Sequence, residues 1–339
     1  MASSVLVAGE TLIDFIPDRP GPLEDVAGFD RRPGGAPANV AVGLARLEEP
    51  PLFWTRVGAD PFGRYLETVL EDAGIPDRFV ERDPVAKTTL AFVTHDEAGD
   101  REFTFYREDT ADTRLEQGRI DDETLADCEW VHVGGVTLAS EPARTATLDL
   151  LERAAEADCT TSFDPNFRPE LWSDDGAFEH VGREALAHVD VCKATVAELR
   201  RLGFGVEAAA DTESTPAAVA RAVLETGTDA GGPHTVFVTR GSDGAVAATS
   251  ARGPWTAGDS RDEGPRVASQ PGFDVDVVDT TGAGDAFVAG LIAGMRDGRS
   301  LQATLGFANA VAASATTGAG AMATLPTRDM VESILEDAS

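Results

Sequence analysis

Lysine is almost missing from this chain. Of the 28 basic residues only Lys87 and Lys193 are lysines, while aspartate and glutamate number 59, leaving a net charge of −31. A surface of that sign repels nucleic-acid backbones and anionic membranes and argues against both as partners. Cysteine is scarce as well: Cys128, Cys159 and Cys192 lie far apart, form no CxxC, and cannot close a disulfide framework in odd number. They read as reduced, buried residues of a cytoplasmic protein. No window reaches the ~18 uninterrupted apolar residues of a membrane span, and the N-terminus lacks the basic-then-apolar pattern of a signal peptide. GxxxxGK[ST], HExxH, GxSxG and HRD are all absent, which removes the P-loop and several hydrolase and kinase chemistries.

What is present is alternation. The 339 residues can bury a substantial core. Short β-branched runs, SVLVAGE (4–10), LFWTRVG (52–58), WVHVGG (130–135), TTSFDPN (160–166), VDVCKAT (189–195) and TVFVTRG (235–241), read as strands. Helical patterns fall at 38–47, 62–74, about 142–157 and about 285–296. Strand and helix in turn predict right-handed crossovers and a mostly parallel sheet with helices on both faces. Two segments, about 10–33 and 87–107, break the rhythm: TLIDFIP is strand-like, and KTTLAFVTHDEAGDREFTFYR reads as two strands around a DEAGD turn. Such insertions must pack away from the main sheet, and they suggest a small β-sheet lid on one domain spanning 1–339. The acidic stretch 205–216 and the Gly-rich TGTDAGGP (226–233) read as exposed connections.

The most distinctive stretch is DTTGAGDAFVAGL (279–291). If Asp285 opens the helix, the amides of Gly282, Ala283 and Gly284 lie at its positive end and form a site for an anion. Small side chains let a phosphate approach the backbone. Taken alone, TGAGD is equally a helix cap and a tight turn. No lysine lies near these glycines in sequence, and GAGDAF lacks the third glycine of GxGxxG. A carboxylate of ordinary pKa beside a bound phosphate can accept a proton from an attacking hydroxyl, while the amides stabilise the transferred charge. A polyol would then be held by Asp, Asn and backbone groups such as those of RPGGAPANVAVGLARL (32–47).

RPGGAPANVAVGLARL followed by DTTGAGDAF resembles the paired signatures of the ribokinase-like carbohydrate kinases, the PfkB family. VAGETLIDFIP, RVGADPFGRYLETVLEDAGI, DPNFRPELW, VTRGSDGA and FANA extend the resemblance over nearly the whole chain, and fructokinases are the nearest subgroup. The resemblance implies a three-layer α/β/α fold with a mostly parallel sheet and a β-sheet lid, and ATP-dependent phosphorylation of a free sugar such as D-fructose. It implies Asp285 as catalytic base with Gly282, Ala283 and Gly284 as anion hole. Asp14, Gly34, Gly35 and Asn39 would bind the sugar, Asp14 being otherwise a polar residue on an edge strand. Phe103, Phe105 and Arg107 would alternate on a lid strand, facing the sugar or packing lid to lid in a homodimer, and Arg168 would point into the cleft.

For ATP it implies Lys193, Thr239, Gly241, Ser242 and Gly244 near the nucleotide and Asn309 near the adenine. Glu198 would order Mg²⁺ through water or else only cap a helix; Thr195 stands where the family often has asparagine. Asp279 and Thr281, with the stretch 320–326, would hold K⁺. The alternatives are a 2-keto-3-deoxygluconate kinase, which would use Arg107 and Arg168 on a carboxylate, another sugar or nucleoside kinase, or a sugar sensor without turnover. The acid excess with little lysine resembles that of proteins from salt-loving archaea.

Overall fold

The computed structural model describes residues 4–19, 21–95, 101–205, 215–226, 231–256 and 265–337. The strands in chain order are β1 (Val5–Ala8), β2 (Leu12–Pro17), β3 (Phe29–Gly34), β4 (Leu52–Gly58), β5 (Val80–Asp83), β6 (Leu90–His95) and β7 (Arg101–Tyr106), then β8 (Trp130–Gly134), β9 (Thr160–Asp164), β10 (Val191–Thr195), β11 (Thr235–Thr239), β12 (Ala245–Thr249) and β13 (Arg266–Gln270). The helices are α1 (Ala36–Arg46), α2 (Pro61–Asp72), α3 (Asp122–Ala126), α4 (Ala143–Glu156), α5 (Asp175–Leu186), α6 (Val196–Arg201), α7 (Thr215–Thr226), α8 (Ala283–Arg296), α9 (Leu301–Ala315) and α10 (Arg328–Asp337).

Among the described residues nine strands form one sheet in the order β13-β12-β11-β10-β9-β8-β1-β4-β5, and four form a second in the order β3-β2-β6-β7. The large sheet is parallel from β5 to β11; only β12 runs antiparallel to its two neighbours. Its two faces are covered separately, as a period of two in a strand buried on both sides requires. Along β1, Leu6 and Ala8 join a core with Leu150, Phe178 and Leu199 of α4, α5 and α6. Val5 and Val7 join a core with Leu44, Phe287 and Phe307 of α1, α8 and α9. The three-layer α/β/α expectation holds.

Local chemistry starts the elements where they start. Asp60 caps α2 by accepting from the Phe62 and Gly63 amides at 2.9 Å each, with Pro61 at the first helical position. The small sheet is built from the two segments that break the alternation. Pro33 lies on its edge strand β3, where a missing N–H is tolerated. The expected DEAGD turn (96–100) lies outside the described residues, as do most of 205–216 and part of 226–233; residues 215–226 form α7, not a connection. Among the described residues no helix is long and apolar enough to cross a membrane.

Candidate active site

The turn before α8 is pinned by Asp279. Its Oδ1 accepts from the Thr281 amide at 2.9 Å and the Thr281 hydroxyl at 2.6 Å, and its Oδ2 accepts from the Gly320 amide at 3.0 Å. The expected K⁺-binding segments therefore touch. Gly282 caps α8 with φ 77°, and a methyl group placed on it would come 2.6 Å from Ala321 Cβ, so only glycine fits. The helix begins at Ala283, two residues earlier than expected, which makes Asp285 a first-turn residue and not the cap. Its leading amides lack intrahelical acceptors, although that of Ala283 turns back to the Thr280 carbonyl at 3.3 Å.

Asp285 is 8 % exposed, and its Oδ2 accepts from Asn39 Nδ2 at 2.7 Å. Asn39 sits one turn into α1, and the contact joins two helices 246 residues apart in the chain. Burial pushes the Asp285 carboxyl up to about 6; the Asn39 hydrogen bond opposes this, Asp164 adds to it, and Lys193 and Arg168 draw it down. It thus holds its proton more tightly than the ordinary carboxylate that would suffice for this role. A base that is protonated below pH 6 should give kcat/KM an acid limb of unit slope centred near pH 6, measured as initial rate against pH at subsaturating sugar. A flat profile from pH 5 to 8 would contradict it.

The fold also supplies the lysine that the local sequence lacks. A methyl group placed on Gly284 would come 3.1 Å from Lys193 Nζ. That ammonium donates to Asp164 Oδ2 at 2.8 Å, with the side chains 7 % and 4 % exposed. Burial works against its charge, but Asp164, Glu198 and Asp285 outweigh burial and hold the Lys193 pKa above its ordinary value. Asp164 stands at the C-terminal end of β9, the edge where α/β sheets bind ligands. In the DPNFR stretch the resemblance assigned Arg168 and not Asp164, whose position at a strand's C-terminal end is the available signal.

Beside Lys193 opens a cavity of about 380 Å³. It is lined by the expected Thr239, Gly241, Ser242, Gly244, Ala283, Gly284 and Asn309, and also by Phe273, Val275 and Val277, which the sequence did not single out. Gly244 has φ 84°, and a methyl group there would lie 2.2 Å from the Gln270 carbonyl. Asn309 donates to the carbonyls of Gln270 and Pro271 at 3.2 Å each, fixing that wall of the cavity.

On the small sheet Asp14 lies on the interior strand β2, in one row with Ala91 and Phe105. It is not on an edge strand. Gly34 crosses beside it, where a methyl group would come 2.1 Å from Asp14 Oδ2. Phe103 and Phe105 share that face with rings 5.7 Å apart, and the Arg168 guanidinium sits 5.3 Å from the Phe103 centroid. Arg107 departs from the expectation: β7 ends at Tyr106, and Arg107 is buried with Nε donating to Asp112 Oδ2 at 2.7 Å, instead of alternating with the phenylalanines. Glu198 closes a capping box with Thr195 and also accepts from the Phe167 amide at 3.0 Å, so both its oxygens are engaged at the start of α6. Gly35 caps α1 with φ 104°.

Residues 2–328 match the pfkB family carbohydrate kinases. The chain belongs to that family. It is 35 % identical over 332 residues to the fructokinase of Vibrio alginolyticus, covering 96 % of this chain and 97 % of the relative. The fructokinase of Xylella fastidiosa with bound ATP superposes with a TM-score of 0.80 at 29 % identity, over 100 % of this chain and 99 % of that one. A double mutant of Vibrio cholerae fructokinase solved with fructose, ADP and potassium gives 0.76 at 32 % identity, over 98 % and 97 %. This pfkB chain is thus a carbohydrate kinase with the family's ribokinase-like fold.

Proposed function

We propose that this carbohydrate kinase transfers the γ-phosphoryl group of ATP to a hydroxyl of free D-fructose in the cytoplasm. The observation that carries the reading is Asp285: a buried carboxylate, aligned by Asn39, beside a helix N-terminus with Lys193 at its glycine. The sugar would lie between Asp14, Gly34, Gly35 and Asn39 and the face of the small sheet that bears Phe103 and Phe105. As its oxygen bonds to phosphorus, Asp285 takes the hydroxyl proton and the bond to the departing ADP oxygen breaks. The amides of Gly282, Ala283 and Gly284, with Lys193, oppose the charge on the transferred group. The cavity at Thr239, Gly241, Ser242, Gly244 and Asn309 would take the nucleoside, its glycines giving the backbone room to approach. Magnesium would enter on the nucleotide phosphates, with Glu198 reached through water. Asp279, Thr281 and the 320–326 stretch would hold potassium behind the cradle.

Arg168 favours a second reading, because a guanidinium on the cleft face suits a carboxylated substrate such as 2-keto-3-deoxygluconate. The deciding experiment is a coupled ATP-consumption assay across fructose, glucose, ribose, 2-keto-3-deoxygluconate and adenosine, with the product's position read by NMR. Turnover concentrated on fructose is expected; turnover concentrated on the keto-deoxy acid would replace the first reading with the second. For a homodimer, the opposite face of the small sheet is the better surface, since Phe15, Phe29, Phe92 and the 62 % exposed Tyr106 cluster there and Phe103 and Phe105 do not.

A further inference from the structure

All four chain crossings between the large and small sheets pass through one buried polar cluster. Glu10 and Thr11 lie between β1 and β2, Gly35 between β3 and α1, Thr89 just before β6, and Arg107, Thr110 and Asp112 just after β7. The six side chains among them are at most 6 % exposed. Thr11 Oγ1 donates to the Gly34 carbonyl at 3.2 Å, Thr89 and Thr110 both bond Asp112, and Asp112 holds Arg107.

Within this cluster Glu10 is chemically out of place as packing. Its Oε1 accepts from the Ala36 amide at 3.1 Å, yet its Oε2, like Arg107 Nη2 and Asn39 Oδ1, is buried without a hydrogen-bond partner among the described residues. Burial pushes the Glu10 carboxyl up to about 7 against the pull of Arg107, with Asp112 adding to the rise. Glutamine would make the same hydrogen bond without that penalty. What Glu10 touches gives it a task. Ala36 is the first residue of α1, and Asn39, one turn on, bonds the Gly35 carbonyl through its own amide at 2.9 Å and Asp285 through its side chain. Gly35 packs so closely on this link that a methyl group would come 2.5 Å from the Glu10 carbonyl.

We propose that Glu10 is a positioning residue for the phosphoryl transfer: its side chain fixes the first turn of α1 so that Asn39 holds the Asp285 carboxylate in its proton-accepting orientation. This rests on the kinase reading above. Without an acceptor at position 10 the start of α1 relaxes, and Asp285 loses the hydrogen bond that favours its charged form. The other groups facing Asp285 are Asp164 of β9, Lys193 of β10 and Arg168 beyond β9; those facing Glu10 are Arg107 and Asp112. None of them changes in a position-10 variant, and Glu10→Gln removes the Glu10 carboxyl just as Glu10→Met does, so a limb moved in the methionine variant alone reports the Asn39 contact.

The test compares pH profiles of kcat and kcat/KM for the wild type, Glu10→Met, Glu10→Gln and Asn39→Ala. Methionine fills the space and offers no acceptor. It is expected to move the acid limb up by about half to one pH unit and to lower kcat about tenfold; sugar KM rises as well, because Gly35 and Asn39 border the sugar, and the moved limb is the readout that loosened sugar binding would not give. Glu10→Gln retains the acceptor and should restore both. Asn39→Ala should move the limb as Glu10→Met does, and the double variant should move it no further. An unmoved limb in Glu10→Met, a glutamine variant displaced as far as methionine, an additive double variant, or a methionine variant that fails to fold would each overturn the role. A wild type without turnover on any sugar would instead overturn the kinase reading and this role with it.

Discussion

Asp285→Asn is expected to keep its affinity for sugar and nucleotide, lose about 10²–10⁴ in kcat, and melt at a higher temperature than the wild type at neutral pH. The first effect follows from removing the proton acceptor while preserving shape. The second follows from burial. The folded protein holds the Asp285 proton up to about pH 6, against an ordinary value of 3.8. Whatever stability this group contributes is therefore present in full below the unfolded value and is lost as pH rises through about 6. At about 1.4 kcal/mol per pH unit the gap amounts to about 3 kcal/mol against the charged wild type at pH 7.5. Asparagine carries no such penalty. Calorimetric melts of the two proteins from pH 4 to 8 should give nearly equal Tm at the acid end and a difference that opens through pH 6 and then stays constant. Turnover close to wild type, or a Tm difference independent of pH, would refute the assignment. A stabilised but slow variant is the signature of a site that trades stability for reactivity.

Lys193→Met should be the most destabilising of the single changes at the site. Lys193 and Asp164 are paired at 2.8 Å in a buried position, and removing one partner leaves the other charge without compensation, a loss of about 3–5 kcal/mol. Function should suffer through two routes. The nucleotide loses the one ammonium that the fold brings to the cradle, which should raise the KM for ATP by about tenfold or more. Asp285 loses an opposing charge while Asp164 still raises its proton affinity, so the acid limb should move to higher pH. Adding Asp164→Asn to Lys193→Met should recover part of the lost stability and none of the ATP affinity. Denaturant melts and ATP saturation curves on the single and double variants would show it; an unchanged KM for ATP in Lys193→Met would separate the lysine from the nucleotide.

Much of the fold could be read from periodicity because its strands are short, β-branched and buried on both faces. LFWTRVG reads as a strand with the bounds of β4, because Pro51 precedes it and Pro61 opens the capped helix that follows. Where side chains carry little information the reading failed. AVAAT of β12 is nearly all alanine and valine, and antiparallel pairing on both sides makes it a strand. FDRRPG of β3 contains a proline and a glycine, which local rules assign to a loop, yet β2 pairs with it along its whole length.

By itself the sequence determined the glycine turn and the carboxylate that we propose as phosphate cradle and base, because both are local. Gly282, Ala283, Gly284 and Asp285 are contiguous, and the conformations that small residues permit at a helix start depend on their immediate neighbours alone. It also determined the small sheet, since a hairpin inserted into alternating α/β chain has no place in a parallel sheet. Only the tertiary structure decided the state of the proposed base. Asp285 is buried by α8 packing on α1, aligned by an asparagine 246 positions away, and placed near Lys193, which is distant from it in the chain. It likewise moved Arg107 from the cleft face into the buried cluster between the two sheets and set Asp14 on an interior strand. Proton affinity is set by the dielectric and the charges within a few ångströms, and those neighbours come from strands and helices that meet only when the chain is folded.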